Sequence, residues 1–355
     1  MTQDLKDKIN GIIHSHPEAA DKETIRELKR IVQEEEAEAP LRTPRGIAAL
    51  VTEQMERLLG EEQVPNLVQT GFAGFDRKFG GFGLGEFAVI GGRPSMGKTR
   101  LLVNLALRMS VDVPVLYVTY DLPEAMLAYR FVSAMSGTSM DDLLQRKLFD
   151  EEKSQLAAIG EAFGRHQLLV SDGGNYAIGA LRAQCQQLIE EQGIKVIMVD
   201  YLQLMSSNRY RNSRELEISH ISRVLKQMAK DFNVCVIAAS QLSRAVESRP
   251  GGSRRPMLSD LRDSGAIEQD ADKVIFLYRP EYYGLTEDEM GRPTAGLTEV
   301  ILAKNRNGRL GTVRLLTDGN FSGYTDDDED RYESYKTDFS FSPSRLSELE
   351  GDEPF

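Results

Sequence analysis

Cysteine and histidine are scarce in this chain: Cys185, Cys235 and four histidines stand among 355 residues. Both cysteines lie in apolar-patterned segments and form no pair at metal-ligand spacing. A disulfide framework and a zinc module are therefore excluded, and a reducing, cytoplasmic setting is the expectation. Long apolar runs are also missing. None approaches the ~20 residues that cross a bilayer, and the opening Met1-Thr-Gln-Asp-Leu-Lys6 lacks an apolar signal region, so no membrane is expected as a partner. Net positive charge is lacking too: the formal charge is −12. That charge is unevenly spread. Residues 1–60 carry 9 basic and 12 acidic side chains, residues 61–325 carry 31 and 32, and residues 326–355 carry 3 and 11. The central region is nearly neutral and has room for basic patches, so the overall charge does not exclude nucleic acid.

Against these absences stands one strong motif. Gly92-Arg-Pro-Ser-Met-Gly97-Lys98-Thr99 fits G-x-x-x-x-G-K-S/T, with an apolar strand-like run before it (Glu86–Gly91) and a helix-like run after it (Arg100–Arg108). In such a loop, Gly92, Ser95 and Gly97 turn backbone N–H groups toward an anion, and the following helix adds positive potential at Thr99 and Arg100. Lys98 supplies a cation for the outer phosphates and the Thr99 hydroxyl a ligand for Mg²⁺. ATP with Mg²⁺ is the expected cofactor.

Strand-like runs recur at Pro114–Tyr120, Gln167–Ser171, Lys195–Asp200, Val234–Ser240 and Lys273–Tyr278. Two more, Thr298–Lys304 and Gly311–Leu316, are spaced as a hairpin. Ile218, Ile221, Leu225, Met228 and Phe232 mark a helix over Glu215–Phe232. This alternation predicts an α/β fold, a mostly parallel sheet covered by helices with a C-terminal hairpin. Four segments follow: a short helical or partly disordered appendage (1–42), a helix with the stripe Ile47, Val51, Met55, Leu58 (43–64), the α/β domain (65–325) and an acidic tail (326–355). Asp200 ends an apolar strand, where a carboxylate completes the metal shell. Gln241 ends another, where a polar side chain senses the γ-phosphate. Arg244, Arg249, Arg254 and Arg255, with Gly251-Gly252, form the densest basic stretch, suited to tracking a single-stranded phosphate backbone without base readout.

These residues carry a family resemblance. Arg93–Thr99 resembles the P-loop of DnaB-type replicative helicases, and Asp200-Tyr-Leu-Gln-Leu-Met205 their Walker B signature. Pro256–Asp272 resembles a further hallmark block, Lys304-Asn-Arg306-Asn-Gly308 with Gly311-Thr-Val-Arg314 the C-terminal block, and Thr70–Asp76 the domain entry. The resemblance runs from about Thr43 to Tyr324. It implies a RecA-like P-loop NTPase core that assembles as a homo-oligomer, a hexameric ring with ATP between subunits, and moves 5′→3′ on single-stranded DNA. It casts Lys304 and Arg306 as the basic pair reaching the neighbour's γ-phosphate. It places Arg262, Asp263 and Gly265 at the DNA channel, makes the 43–64 helix a linker docked on the next subunit, and suggests a helicase loader or primase as partner.

The chain departs from that pattern twice. Asp121 stands where the family has a Glu that activates the attacking water, which places the carboxylate one methylene further back; Glu124, one helical turn on, is a substitute candidate. About forty residues precede the linker helix, where the family has a globular domain. An ATP-gated DNA-binding module with weak hydrolysis therefore stays open beside the helicase, as does a RecA-fold ATPase acting on protein partners. The Arg262 block argues against the last, and a total of two cysteines excludes the four-cysteine zinc site usual in RadA-type recombinases.

Overall fold

Apolar side chains alternate along the strands, and the helices take them up on both faces of one sheet. The computed structural model describes residues 67–327, except Gly173, Asn175, Asn208, Arg211, Asn212, 250–253, Glu289 and Asp318, and leaves the side chains of Glu151, Gln155 and 262–264 aside. It also describes six helical residues, Ile47, Ala48, Val51, Thr52, Met55 and Glu56. Two units divide the chain between Val64 and Pro65. In the first, Ile47, Val51 and Met55 form an exposed apolar stripe. The whole expected 1–42 appendage, the remainder of the 43–64 helix with Leu58, and the tail beyond Asp327 lie outside the described residues.

The second unit opens with β1 (Leu67–Val68), α1 (Ala73–Phe79) and β2 (Phe82–Gly83), with β1 and β2 paired as a two-stranded ribbon. Then come β3 (Phe87–Gly92), α2 (Lys98–Met109), β4 (Val115–Thr119), α3 (Glu124–Ser136), α4 (Met140–Gln145), α5 (Asp150–Phe163) and β5 (Leu168–Ser171). Next are α6 (Ile178–Gln192), β6 (Val196–Asp200), α7 (Arg214–Phe232), β7 (Cys235–Gln241), α8 (Gly265–Asp270) and β8 (Lys273–Tyr278). The chain closes with β9 (Leu297–Asn305), β10 (Gly311–Thr317) and β11 (Tyr324–Asp326). Every long strand expected from the sequence is present to within one residue at either end.

The nine-stranded sheet has the order β11-β10-β9-β8-β3-β7-β6-β4-β5. Six strands, from β8 to β5, run parallel; β9, β10 and β11 extend the sheet antiparallel. Successive side chains of β3 go to opposite faces. Ala88 and Ile90 join a core with Leu102, Leu105 and Met109 of α2. Phe87 and Val89 join the other core, with Leu181 of α6 and Ile221, Leu225 and Met228 of α7. Burial of each such side chain stabilises the fold by about 1.5–3 kcal/mol. Cys185 and Cys235 are free and buried among these residues; burial pushes the Cys185 thiol up to about 12 and the Cys235 thiol higher. They serve as core, as the sequence indicated. No described helix is long and apolar enough to cross a membrane.

Two residues assigned to the acidic tail belong to the fold. Asp326 accepts from the N–H groups of Ala73 (3.0 Å) and Gly74 (2.9 Å) at the start of α1. Asp327 pairs with Arg314 at 2.8 Å. Charge density alone hid β11, because its buried anchor, Tyr324, lies amid aspartates and exposed polar residues.

Because β3 lies between β7 and β8 while β4 lies beyond β6, the chain crosses over at the carboxyl ends of these strands. A crevice at such a reversal is where open α/β sheets take ligands.

Candidate nucleotide site

The loop between β3 and α2 is shaped by two left-handed residues, Ser95 (φ 65°) and Gly97 (φ 95°). Left-handed turns of this kind point successive N–H groups into one concavity. Gly97 is doubly required: its φ suits glycine, and a Cβ there would lie 2.3 Å from the Tyr324 hydroxyl oxygen. Lys98, the first residue of α2, folds back over the loop, and its Nζ donates to the carbonyls of Gly92 (3.0 Å) and Arg93 (3.2 Å). Burial pulls the Lys98 ammonium below its ordinary pKa, while Asp200 and Asp121 oppose the shift.

Asp200, at the end of β6, is 1% exposed. Burial raises its carboxyl, and bonds from the Thr99 side chain and the Tyr117 hydroxyl, the latter at 3.0 Å, hold the charged form. A hydroxyl backed by a carboxylate suits a hard divalent cation. Among the described residues no group of three or more His, Cys, Asp or Glu could cage a metal. That set fits a cation arriving with phosphate oxygens as its remaining ligands, as Mg²⁺ does with nucleotides.

Ser95, Gly97, Lys98, Thr99, Arg100, Asp121, Asp200 and Gln241 all line one open cleft. Gly92 lies beneath it as an acceptor for Lys98. Glu124 is not among the residues that line the cleft, and its carboxylate accepts from the N–H of Asp172 at 3.3 Å. Gln241 is held by a residue the sequence did not single out. Gln203 Nε2 donates to Ser240 Oγ (2.8 Å) and the Gln241 carbonyl (3.1 Å), while its Oε1 accepts from the Gln241 N–H (3.1 Å). Pro94, Arg130, Tyr201, Arg279 and Phe321 complete the lining. Two guanidinium groups approach the Phe321 ring, Arg279 at 5.1 Å and Arg100 at 5.3 Å from its centroid. Arg279 had a signal, since it follows the end of β8. Phe321 had none, because the turn that presents it is set by β10 and β11.

Lys304 and Arg306 are elsewhere. β9 runs antiparallel to β8, placing Asn305 opposite Lys273, and Lys273 is level with Ala88 of β3. The P-loop begins four residues further along β3, at Gly92. At ~3.3 Å per residue the pair lies roughly 13 Å away, at the amino end of the parallel strands. A P-loop and its own Lys304/Arg306 thus occupy opposite ends of the sheet.

The basic stretch divides. Arg249 grips both carboxylate oxygens of Asp260 (2.5 and 2.6 Å) and the Arg255 carbonyl (2.9 Å). Arg255 pairs with Glu299 and donates to Thr312 Oγ1 at 3.2 Å. Arg249 is tied to Asp260, and Arg255 to β9 and β10, roles that local charge counting does not reveal. Arg244 and Arg254 are exposed, Arg254 over the Tyr283 ring. Gly265 starts α8 and is exposed. The side chains of Arg262 and Asp263 lie outside the described residues. Arg93 joins the two regions: it donates to the Leu242 carbonyl and Glu247 Oε1, both at 2.9 Å, tying the P-loop to the segment that carries Arg244.

Comparison with known proteins agrees with this geometry. Residues 68–326 match the DnaB-like helicase C-terminal domain. The chain is 36% identical over 277 residues to the replicative DNA helicase DnaB of Haemophilus influenzae, covering 77% of this chain and 57% of that one. It is 37% identical over 251 residues to the replicative DNA helicase DnaC of Bacillus subtilis, covering 70% and 54%. The chain thus spans little more than half the length of these relatives. The solved ATPase domain of G40P superposes with a TM-score of 0.72 at 31% identity, covering 80% of this chain and 99% of that one. A DnaB-like replicative helicase, solved in a study of its interactions with primase, gives 0.70 at 30%, covering 91% and 75%. With its phosphate loop, the carboxylate that ends β6 and these matches over most of its length, the chain belongs to the DnaB-like helicase family.

Proposed function

We propose that this chain is the motor of an ATP-driven, ring-forming DNA helicase that moves along single-stranded DNA and separates duplex DNA during replication. One observation carries the reading: each subunit holds a phosphate loop at one end of its sheet and a Lys304/Arg306 pair at the other. Such a unit is complete only when a second copy lends its pair, and a head-to-tail contact of that kind gives a ring where its rotation closes and an open filament where it does not; the ring is the form we propose. A hexamer is the state we propose. The exposed stripe Ile47, Val51, Met55 suits a helix packed on another copy, and a loader or primase is the proposed class of protein partner.

In this reading the loop N–H groups and Lys98 hold the β- and γ-phosphates. The Thr99 hydroxyl, backed by Asp200, holds a Mg²⁺ that spreads the phosphate charge when bound. Asp121 accepts the proton of the attacking water, and Gln241, pinned by Gln203, reports the γ-phosphate to the segment running on to Arg244. Lys304 and Arg306 of the adjacent copy stabilise the negative charge that develops on the transferring group. Arg244, Arg254, Arg262, Asp263 and Gly265 are the residues we assign to the DNA backbone, while Arg249 and Arg255 are engaged by Asp260 and Glu299.

Steady-state ATPase with and without single-stranded DNA tests this, with Lys98→Ala as background. Strong stimulation by DNA is expected. Tight nucleotide-dependent DNA binding with turnover at background would replace the motor by an ATP-gated binding module, the second reading, which Asp121 favours. Asp121→Glu addresses that feature directly. It extends the carboxylate by one methylene toward the water, and small misplacements of a base cost up to about 100-fold in rate. Turnover is expected to rise; an unchanged or lower value removes Asp121 as the limit.

The acidic tail is proposed as a competitor for the DNA surface. Removing residues 328–355, which spares Asp326 and Asp327 in their contacts with α1 and Arg314, should tighten single-stranded DNA binding at low salt, with the difference fading as salt rises. Equal affinity at low salt would discard the idea.

A further inference from the structure

The carboxyl end of α8 and Asp272, two residues beyond it, hold both members of the Lys304/Arg306 pair. Lys304 Nζ donates to the carbonyls of Glu268 and, at 3.4 Å, Gln269. Arg306 donates from one amino group to the Gln269 carbonyl and from the other to Asp272 Oδ1 at 3.1 Å. Its backbone N–H donates to the Asp272 carbonyl at 2.9 Å. The last carbonyls of a helix have no intrahelical partner and carry partial negative charge, so they form a seat for cations.

Asp272 is itself fixed. It is 5% exposed, and its Oδ2 accepts from the Phe87 N–H (2.8 Å) and Lys226 Nζ (2.6 Å). A carboxylate anchored to the central strand therefore sets one edge of the Arg306 guanidinium. Arg306 has five N–H donors, and these side-chain bonds engage one on each amino group, leaving others for a phosphate. The helix that ends on these cations begins at Gly265, within the block assigned to DNA.

We propose that Asp272, with the carbonyls of Glu268 and Gln269, positions Lys304 and Arg306 for the neighbouring copy's phosphates. The proposal rests on the trans arrangement put forward above. Its consequence is specific: the defect of an Asp272 variant appears in the next subunit's nucleotide site and not in its own.

The test is DNA-stimulated ATPase of the full chain. Asp272→Asn is expected to lower kcat by about 10–100-fold, the scale of a displaced catalytic group, with nucleotide affinity unchanged. Mixed with Lys98→Ala subunits, it should recover activity well above either variant alone, because Lys98→Ala copies lend a well-placed pair to intact P-loops. Arg306→Ala mixed with Lys98→Ala is the reference. Recovery with Arg306→Ala but not with Asp272→Asn shows that Asp272 acts only within its own chain and overturns the proposal. No recovery in either mixture removes the trans arrangement and this inference with it. A wild-type kcat for Asp272→Asn also overturns it. If that variant does not fold, Asp272→Glu, which keeps the charge facing Lys226 and shifts it by one methylene, takes its place with the same outcomes.

Discussion

Arg306→Ala is expected to slow ATP hydrolysis by about 10³–10⁵-fold, the range in which a transition-state arginine supplied by a neighbour contributes. Nucleotide affinity should stay near that of the unsubstituted protein, because Arg306 lies at the far end of the sheet from its own P-loop. The fold should persist as well. Removing one partner of a buried ion pair is costly when a charge is stranded, but Asp272 keeps Lys226 at 2.6 Å and the Phe87 N–H at 2.8 Å. Single-turnover kinetics with a fluorescent nucleotide separate the two effects. A variant that binds and hydrolyses normally would end the case for a trans cation. Arg306→Lys tests geometry apart from charge: an ammonium cannot span the Gln269 carbonyl and Asp272 as the guanidinium fork does, so little rescue is expected.

Lys98→Ala carries the second large effect, through the subunit's own site. The Lys98 ammonium is the cation between the loop carbonyls and the carboxylates Asp200 and Asp121. Its loss takes one preorganised charge from the transferring phosphate, and turnover should fall by about 10²–10³-fold or more. Nucleotide affinity should fall too, which distinguishes this variant from Arg306→Ala. The phosphate-facing N–H groups remain, held by the left-handed Ser95 and Gly97, so some nucleotide binding should survive. Titration of a fluorescent ATP analogue beside steady-state rates makes the comparison. Normal turnover in Lys98→Ala would place the chemistry somewhere other than this cleft.

Much of the cleft was legible in the sequence because its parts are local. A phosphate loop needs glycine, lysine and a hydroxyl at fixed offsets between a strand and a helix, and Gly92–Thr99 met every offset. Asp200 and Gln241 each close an apolar run, and parallel strands deliver their carboxyl ends to one edge, so the two had to converge. Arg279 could have been found, since it follows the end of β8; Gln203, which holds Gln241, and Phe321 were not legible, since each comes from a connection whose course the local pattern does not give. The basic stretch shows the opposite failure. Four nearby arginines read as one DNA surface, yet Arg249 and Arg255 are spent on Asp260 and Glu299, residues 11 and 44 positions away.

What the sequence determined by itself was the long strands, the helices α2 and α7 and the nucleotide loop, because periodicity and motif spacing depend on neighbours within a few turns of chain. Tertiary structure alone decided the rest. The order of strands, with β9 folded antiparallel onto β8, carries Lys304 and Arg306 to the end of the sheet opposite the P-loop. No local pattern encodes that distance, because it follows from which edges pair, and pairing depends on the burial of both sheet faces at once.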